Sequence, residues 1–440
     1  MERGSFQRAM LDPAAIRRVD PSGMIDIVAS LPEKLSEGYR SAEAIRIEVG
    51  GARRVFIAGM GGSAIAGDLF VSWTADRSKV GMEVIRGYHC PATASREDLL
   101  IAVSYSGDTE ETLSAVASAE KIGCRIVGIT TGGKLEGICK ARGYPLIHIP
   151  PGPAPRGAFG HLFSALPAIS EDWVYGDLGS ELDRAAAHLT RLREALRPEV
   201  PTKSNPAKTL AVKIRGKTPI VYSAPPYGPV ATRWKTQFNE NAEVLAWASQ
   251  FPEADHNEIV GWGGDPHARR FVPIILRDRD ESPEMARRLD ATKKVMSRWA
   301  KIHEVRDRGE TPAEAAPREQ VSPDKARQNI VFRFAAFSGT SCIASQCSTS
   351  LPFSTRKMSI TAEPRAPGSG MRWLWTATRS PSAMNRLNST FIFGIVAIQF
   401  PIASTKACGP SPPIGLCCRY VLPRYVAAAS FGFLLLNARS

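Results

Sequence analysis

Short apolar runs separated by polar, helix-forming stretches recur along the first three quarters of the chain, and after residue 316 the pattern stops. The runs at Val55–Ala58, Leu99–Tyr105, Arg125–Ile129, Leu146–Ile149, Pro219–Ser223, Phe271–Leu276 and Ile302–Val305 read as strands. The segments between them are long enough for helical crossovers, so the alternation predicts an α/β protein with parallel, doubly wound sheets covered by helices on both faces.

Between Ser170 and Lys208 the sequence turns helical and charged (ELDRAAAHLTRLREAL), passes through a proline-containing stretch, and then resumes strands. This places a joint between two α/β domains. The expected order is an N-terminal helical segment over 1–40, a first domain over 41–170, a helical linker over 171–208 and a second domain over 209–316. Residues 317–440 form an atypical basic tail of low predicted order.

Charge sharpens that division. The chain carries a formal +13, which raises nucleic acid or a membrane surface as partners. Of this excess, +11 comes from 14 Lys/Arg against 3 Asp/Glu after residue 316, so the front three quarters are close to balanced. The tail is rich in Ser, Pro and Arg and holds no His. It reads as a shifted reading frame, as a basic extension without order, or as a small domain of its own. It has no recognisable nucleic-acid module. Cysteines show no metal-ligand spacing and no disulfide framework, and no apolar run reaches the roughly 18–20 residues of a membrane span. The expectation is a cytoplasmic protein with no membrane, nucleic-acid or metal partner.

Two glycine- and hydroxyl-rich turns carry candidate chemistry. In VFIAGMGGSAIAGD a strand runs into Gly59, Gly61, Gly62 and Ser63 and then into an alanine-rich helix, which lets backbone approach a ligand closely. Taken alone it is equally a structural turn, and its spacing departs from the dinucleotide fingerprint. In LLIAVSYSGDTEETLSAV a strand ends in Ser104, Ser106, Gly107 and Thr109 before a helix begins. Three hydroxyls beside free helix-start amides make a phosphate cradle that needs neither lysine nor metal. The plainer reading, Ser106 or Asp108 as a simple helix cap, accounts for one hydroxyl.

The pair of motifs, S-x-S-G-x-T-E-E-T after G-M-G-G-S-A, resembles the SIS domain, a flavodoxin-like sugar-phosphate module. RWKTQFNENAEVLAW (Arg233–Trp247), PEADHNEIVGW (Pro252–Trp262), DPSGM (Asp20–Met24) and PRGAFGHLF (Pro155–Phe163) resemble the bifunctional phosphoglucose/phosphomannose isomerases over roughly residues 12–316. The Arg233 stretch is expected to be helical, with Trp234, Phe238, Ala242 and Leu245 on one face and Arg233, Gln237 and Glu240 on another. Without the resemblance, Glu240 reads equally as a solvated helix face or as a carboxylate on a polar stripe lining a pocket, His256 more often as a surface histidine than a catalyst, and Arg156 as an ordinary loop arginine.

The resemblance implies two SIS domains and an aldose–ketose isomerase working through a cis-enediolate with no cofactor. It assigns Ser104, Ser106 and Thr109 to the phosphate, Gly62 and Ser63 to the sugar, and Glu240 to the proton shuttle, its pKa raised by partial desolvation. His256 would assist ring opening and Arg156 would stabilise the enediolate. Family members are homodimers, so His256 is expected to act on the partner's site. The family's closing helix, with its lysine and threonine, has no counterpart after Ala316; the second domain is expected to lack it, which leaves mannose 6-phosphate less certain than glucose 6-phosphate as a substrate. Two other readings compete: a non-catalytic SIS sensor, and an amino-sugar isomerase of the same fold. The first lacks a helix-turn-helix pattern before residue 50, and the second lacks an N-terminal nucleophilic cysteine, the first cysteine being Cys90.

Overall fold

Aspartates start the first helices among the described residues. Asp12 Oδ1 accepts from the Ala15 amide and opens α1 (Pro13–Val19), while both Asp20 oxygens accept from the Met24 and Ile25 amides and open α2 (Met24–Ala29). A third helix, α3 (Leu31–Glu43), buries Leu31, Leu35 and Ala42. The computed structural model describes residues 11–45, 47, 52–152, 154–278 and 281–306, and the backbone of 358–362 and 373–377.

The first sheet opens with β1 (Arg54–Ala58), whose Val55, Phe56, Ile57 and Ala58 are buried without a polar position between them. Such a run fits a strand covered on both faces. It continues through α4 (Gly61–Thr74), β2 (Gly81–Ile85), β3 (Leu99–Ser104), α5 (Glu110–Ile122), β4 (Arg125–Thr130), α6 (Gly133–Arg142) and β5 (Leu146–His148). All pairings are parallel and the order is β2-β1-β3-β4-β5. The chain reverses direction across this sheet between β1 and β3, where Ala58 lies opposite Ala102, so the turns after both strands sit side by side. This is the crevice where ligands enter open parallel sheets.

A short 3-10 turn, Pro155–Gly157, leads into α7 (Phe159–Ala168), which is buried along its whole length and packs against α3 and α4. The stretch read as a linker holds α8 (Leu178–Leu196), which packs on α3 and α7, and α9 (Pro206–Ile214). Their buried Leu178, Leu182, Leu189, Leu210 and Ile214 belong to the hydrophobic cluster that also takes in Ile57, Val103, Val221 and Trp234, so one core runs through both sheets.

The second sheet contains β6 (Thr218–Ser223), α10 (Gly228–Asn241), β7 (Trp247–Gln250), α11 (Glu258–Gly264), β8 (Phe271–Arg277), α12 (Pro283–Met296) and β9 (His303–Arg306). Its strands are parallel in the order β7-β6-β8-β9, repeating the first four positions of the first sheet. The seven expected strands form within a residue or so of their anticipated ends, and the two further strands of these sheets, β2 and β7, are both edges. Edge strands are half-exposed: β2 alternates exposed and half-buried positions before the buried Ile85, and β7 has no fully buried residue. The helix expected to run through Trp247 ends at Asn241. Glu243 takes a left-handed φ of 52°, the Val244 amide returns to the Phe238 carbonyl, and Asn239 Nδ2 donates to the Val244 carbonyl. Trp234, Phe238 and Ala242 are buried as expected, whereas Leu245 lies beyond the helix and is 71% exposed.

Met1–Phe353 and Ser354–Ser440 form separate units. The second contains an antiparallel pair, β10 (Met358–Ala362) with β11 (Trp373–Ala377), where no persistent period was expected. The expected absence of a closing helix after residue 316 lies outside the described residues.

Candidate active site

The turn after β3 is built as a seat. Ser104, 1% exposed, places its Oγ 2.8 Å from Thr109 Oγ1 and accepts from the Gly107 amide at 3.1 Å. Gly107 has φ 73°, and a Cβ there would stand 1.8 Å from the Gly132 carbonyl oxygen, so no side chain fits. The neighbouring Thr130–Lys134 turn buttresses the seat: Thr131 Oγ1 donates to the Tyr105 carbonyl, the Leu135 amide to the Gly107 carbonyl, and the Lys134 amide to Asp108 Oδ1. The Thr-Thr-Gly-Gly following β4 was the sequence signal for this support, and it went unread.

Neither Ser106 nor Asp108 caps α5. Its N-cap is Thr109, which makes no side-chain capping bond, so the first-turn amides stay open toward the crevice end of β3. Ser106 is exposed and accepts only from the Asp108 amide. The Thr112 hydroxyl in that first turn is buried without a hydrogen-bond partner.

Beside the seat, α4 starts at Gly61 with an uncapped Met60 before it. Gly62 faces the Arg156 turn closely: a Cβ on it would lie 3.4 Å from the Pro155 carbonyl oxygen and 3.7 Å from the Arg156 amide. Ser63 is 5% exposed, its amide bonded to the Met60 carbonyl.

The Arg156 turn rests on the N-terminal helices, which gives the DPSGM motif its physical role. Asp20 caps α2, α2 places Ile27 where a Cβ at Gly157 would come within 2.6 Å of it, and Lys34 Nζ holds the Ile27 and Gly157 carbonyls at 3.2 Å. Arg156 then reaches the end of α10. Its Nε donates to Asn241 Oδ1 at 2.6 Å, and its Nη1 stands 3.8 Å from Glu240 Oε2. Asn241 Nδ2 in turn donates to Gln237 Oε1 at 2.8 Å. Arg233, expected on the polar stripe, is buried with its guanidinium 3.9 Å from the centre of the Phe159 ring. Asn241 is a site residue that sequence reasoning missed, although it stands inside the quoted N-E-N-A motif.

Gly62 packs beside the Arg156 turn and Arg156 meets Glu240 and Asn241, while Ser104, Ser106 and Thr109 belong to the turn after β3, the strand next to the one that leads into Gly62 and Ser63. Glu240 is 44% exposed on its side chain, so the single chain does not supply the desolvation expected around it. His256 is not brought into this group. It ends the 3-10 turn Glu253–His256, is exposed, and makes no hydrogen bond or ion pair among the described residues.

Two parallel sheets with an uncapped hydroxyl turn at the first switch point define a tandem doubly wound α/β fold with a candidate anion seat. A model of the SIS domain matches residues 50–137, and one of the bacterial phospho-glucose isomerase C-terminal SIS domain matches residues 203–317, ending where the sequence pattern stops. The chain is 37% identical over 278 residues to a bifunctional phosphoglucose/phosphomannose isomerase of Caldicellulosiruptor bescii, covering 62% of this chain and 82% of that one. It is 32% identical over 253 residues to a D-glucosamine-6-phosphate 4-epimerase of Sulfolobus acidocaldarius, covering 57% and 77%. Among solved structures, the C-terminal domain of glucosamine-fructose-6-phosphate aminotransferase from Francisella tularensis superposes with a TM-score of 0.57 at 16% identity over 74% of this chain and 96% of that one, which shows the shared fold. The chain belongs to the bifunctional phosphoglucose/phosphomannose isomerase family. No helix among the described residues is long and apolar enough to cross a membrane, and none of their side-chain groups has the makings of a metal site.

Proposed function

We propose that this protein interconverts glucose 6-phosphate, and mannose 6-phosphate as a second substrate, with fructose 6-phosphate. The observation that carries the reading is the meeting of Arg156 with Glu240 beside Gly62, at the mouth of the crevice between β1 and β3. The open amides of α5, with Ser106 and Thr109, hold the phosphate dianion, and Ser104 braces Thr109 from behind. Glu240 takes the proton from one of C1 and C2 and returns it to the other. As the cis-enediolate forms, its negative charge builds on oxygen, and Arg156 is the cation positioned to meet it.

His256 opens the sugar ring. Its exposure and lack of partners support a place in the site of a second copy, in a homodimer acting in the cytoplasm.

The test is turnover of the full chain on fructose 6-phosphate, with glucose 6-phosphate formation followed through a coupled dehydrogenase, and glucosamine 6-phosphate assayed for epimerisation in parallel. Glu240→Gln is expected to lower kcat by roughly 10²–10⁴ with KM little changed, the scale of general acid–base catalysis. Full activity in that variant removes Glu240 from the mechanism, and epimerisation without isomerisation overturns the reaction assignment.

A further inference from the structure

The turn that carries His256 is fastened on both sides, while the exposed imidazole makes no hydrogen bond or ion pair among the described residues. On one side, Asp255 accepts from Thr292 Oγ1 at 2.7 Å and lies 3.4 Å from Arg288 Nη1, both on α12. On the other, the two oxygens of Glu258 are taken by different strands: Oε2 by the hydroxyl of Tyr222 on β6 at 2.9 Å, and Oε1 by Ser249 Oγ on β7. The Tyr222 hydroxyl also accepts from Trp262 Nε1 at 3.0 Å. Asn257, between histidine and clamp, bonds Glu253 Oε1 at 3.0 Å.

Tyr222 is 1% exposed, and burial together with the Glu258 charge pushes its phenol up, so it stays a donor throughout the neutral range. Glu258 itself is exposed, and polar contacts at such a position add little to folding. Their geometric effect is larger. They tie a solvent-facing turn to the two strands beneath it, as an exposed catalytic group needs if it is to be held in place.

We propose that Glu258, backed by Tyr222, is a positioning residue that fixes the direction in which His256 leaves this subunit. The inference rests on the reading of His256 as the ring-opening group. In the quoted H-N-E-I-V-G-W motif this divides the labour: the histidine reacts, the glutamate grips β6 and β7, and the tryptophan holds the gripping tyrosine.

Ring opening has its own readout, the catalysed interconversion of the α and β anomers of glucose 6-phosphate, measured by magnetisation-transfer NMR on the full chain. Glu258→Gln, nearly isosteric, and Tyr222→Phe are each expected to slow anomerisation about 10- to 100-fold with KM unchanged, the scale of a misplacement near 1 Å. The double variant of Glu258→Gln and His256→Ala should be no slower than His256→Ala alone, because the clamp acts only through the histidine. If the two clamp variants anomerise at the parental rate while His256→Ala has lost the activity, the clamp is overturned and the ring-opening role stands. If His256→Ala keeps the parental rate, the ring-opening role is overturned and the clamp with it.

Discussion

The two sheets repeat one topology, yet the turns that follow their corresponding strands β3 and β8 are opposites. After β3 come hydroxyls, a glycine no side chain can replace, and a helix whose first amides are left uncapped. After β8, Ser282 caps α12 through the Met285 amide and Pro283 fills its first position. Ahead of that cap, Arg277, 2% exposed, is enclosed by Glu281, Asp290 and Glu304 at 2.8–3.0 Å, while Asp278 accepts from Tyr227. One turn keeps donors unsatisfied and suits an anion; the other satisfies itself and presents carboxylates. The candidate catalytic residues of the second domain lie elsewhere, at the end of α10 and in the turn before α11.

If this contrast is right, the heaviest penalty for touching the β8 turn falls on folding. Arg277→Met strands Glu281 and Glu304, whose side chains are 10% and 14% exposed, although Lys293 and Arg306 still reach Glu304. Urea unfolding should show about 3–5 kcal/mol lost, the cost of breaking a buried ion pair from one side, with KM of the folded protein unchanged. A KM that moves with it would bring the β8 turn into the substrate site.

The second domain should also carry a large share of the acid sensitivity, beside that of His161 in α7, whose pKa burial likewise lowers. His303 at the start of β9 is 8% exposed, and burial, with Lys213, Lys301 and Lys217 around it, lowers its pKa to about 4. The folded state therefore holds fewer protons than the unfolded one between that value and the ordinary pKa of histidine. Its stabilisation is complete above about pH 6.5 and is lost as pH falls toward 4, by about 3 kcal/mol in all. Denaturation at pH 7 and pH 4.5 measures this, and His303→Asn should remove its share of the difference, leaving that of His161.

Converting the first turn into the second tests the contrast at its centre. Thr109→Asp supplies α5 with a capping carboxylate and puts a negative charge in the anion seat. Stability is expected to rise or hold while KM for the sugar phosphate rises about a hundredfold, or about 2.7 kcal/mol. An unchanged KM would mean that the phosphate sits elsewhere.

How much of this was legible in sequence follows burial and distance along the chain. Buried strands such as β1 and β3 announce themselves as unbroken apolar runs, whereas β2 and β7, half-wet edges, do not. Ser104, Ser106 and Thr109 were legible because their seat is local. Arg156 and Glu240 could be named only by resemblance, since 84 positions separate residues that the fold sets 3.8 Å apart. Asn241 and Glu258 stood inside quoted motifs and went unassigned, because their partners Arg156, Tyr222 and Ser249 lie on elements whose adjacency only the packed structure defines.

The smallest effect closes the comparison from the other side. Ser282→Ala removes the side-chain bond to the Met285 amide at 3.2 Å and leaves Pro283 and the carboxylate cage around Arg277 in place. Loss of an N-cap serine costs about 1 kcal/mol, so thermal unfolding should shift by a few degrees. Turnover and KM should not move, because this hydroxyl serves its own helix, whereas no side chain of the first turn caps α5. A change in KM with no change in melting would show that the β8 turn shares the ligand, and the division between a receiving turn and a self-satisfied one would have to be abandoned.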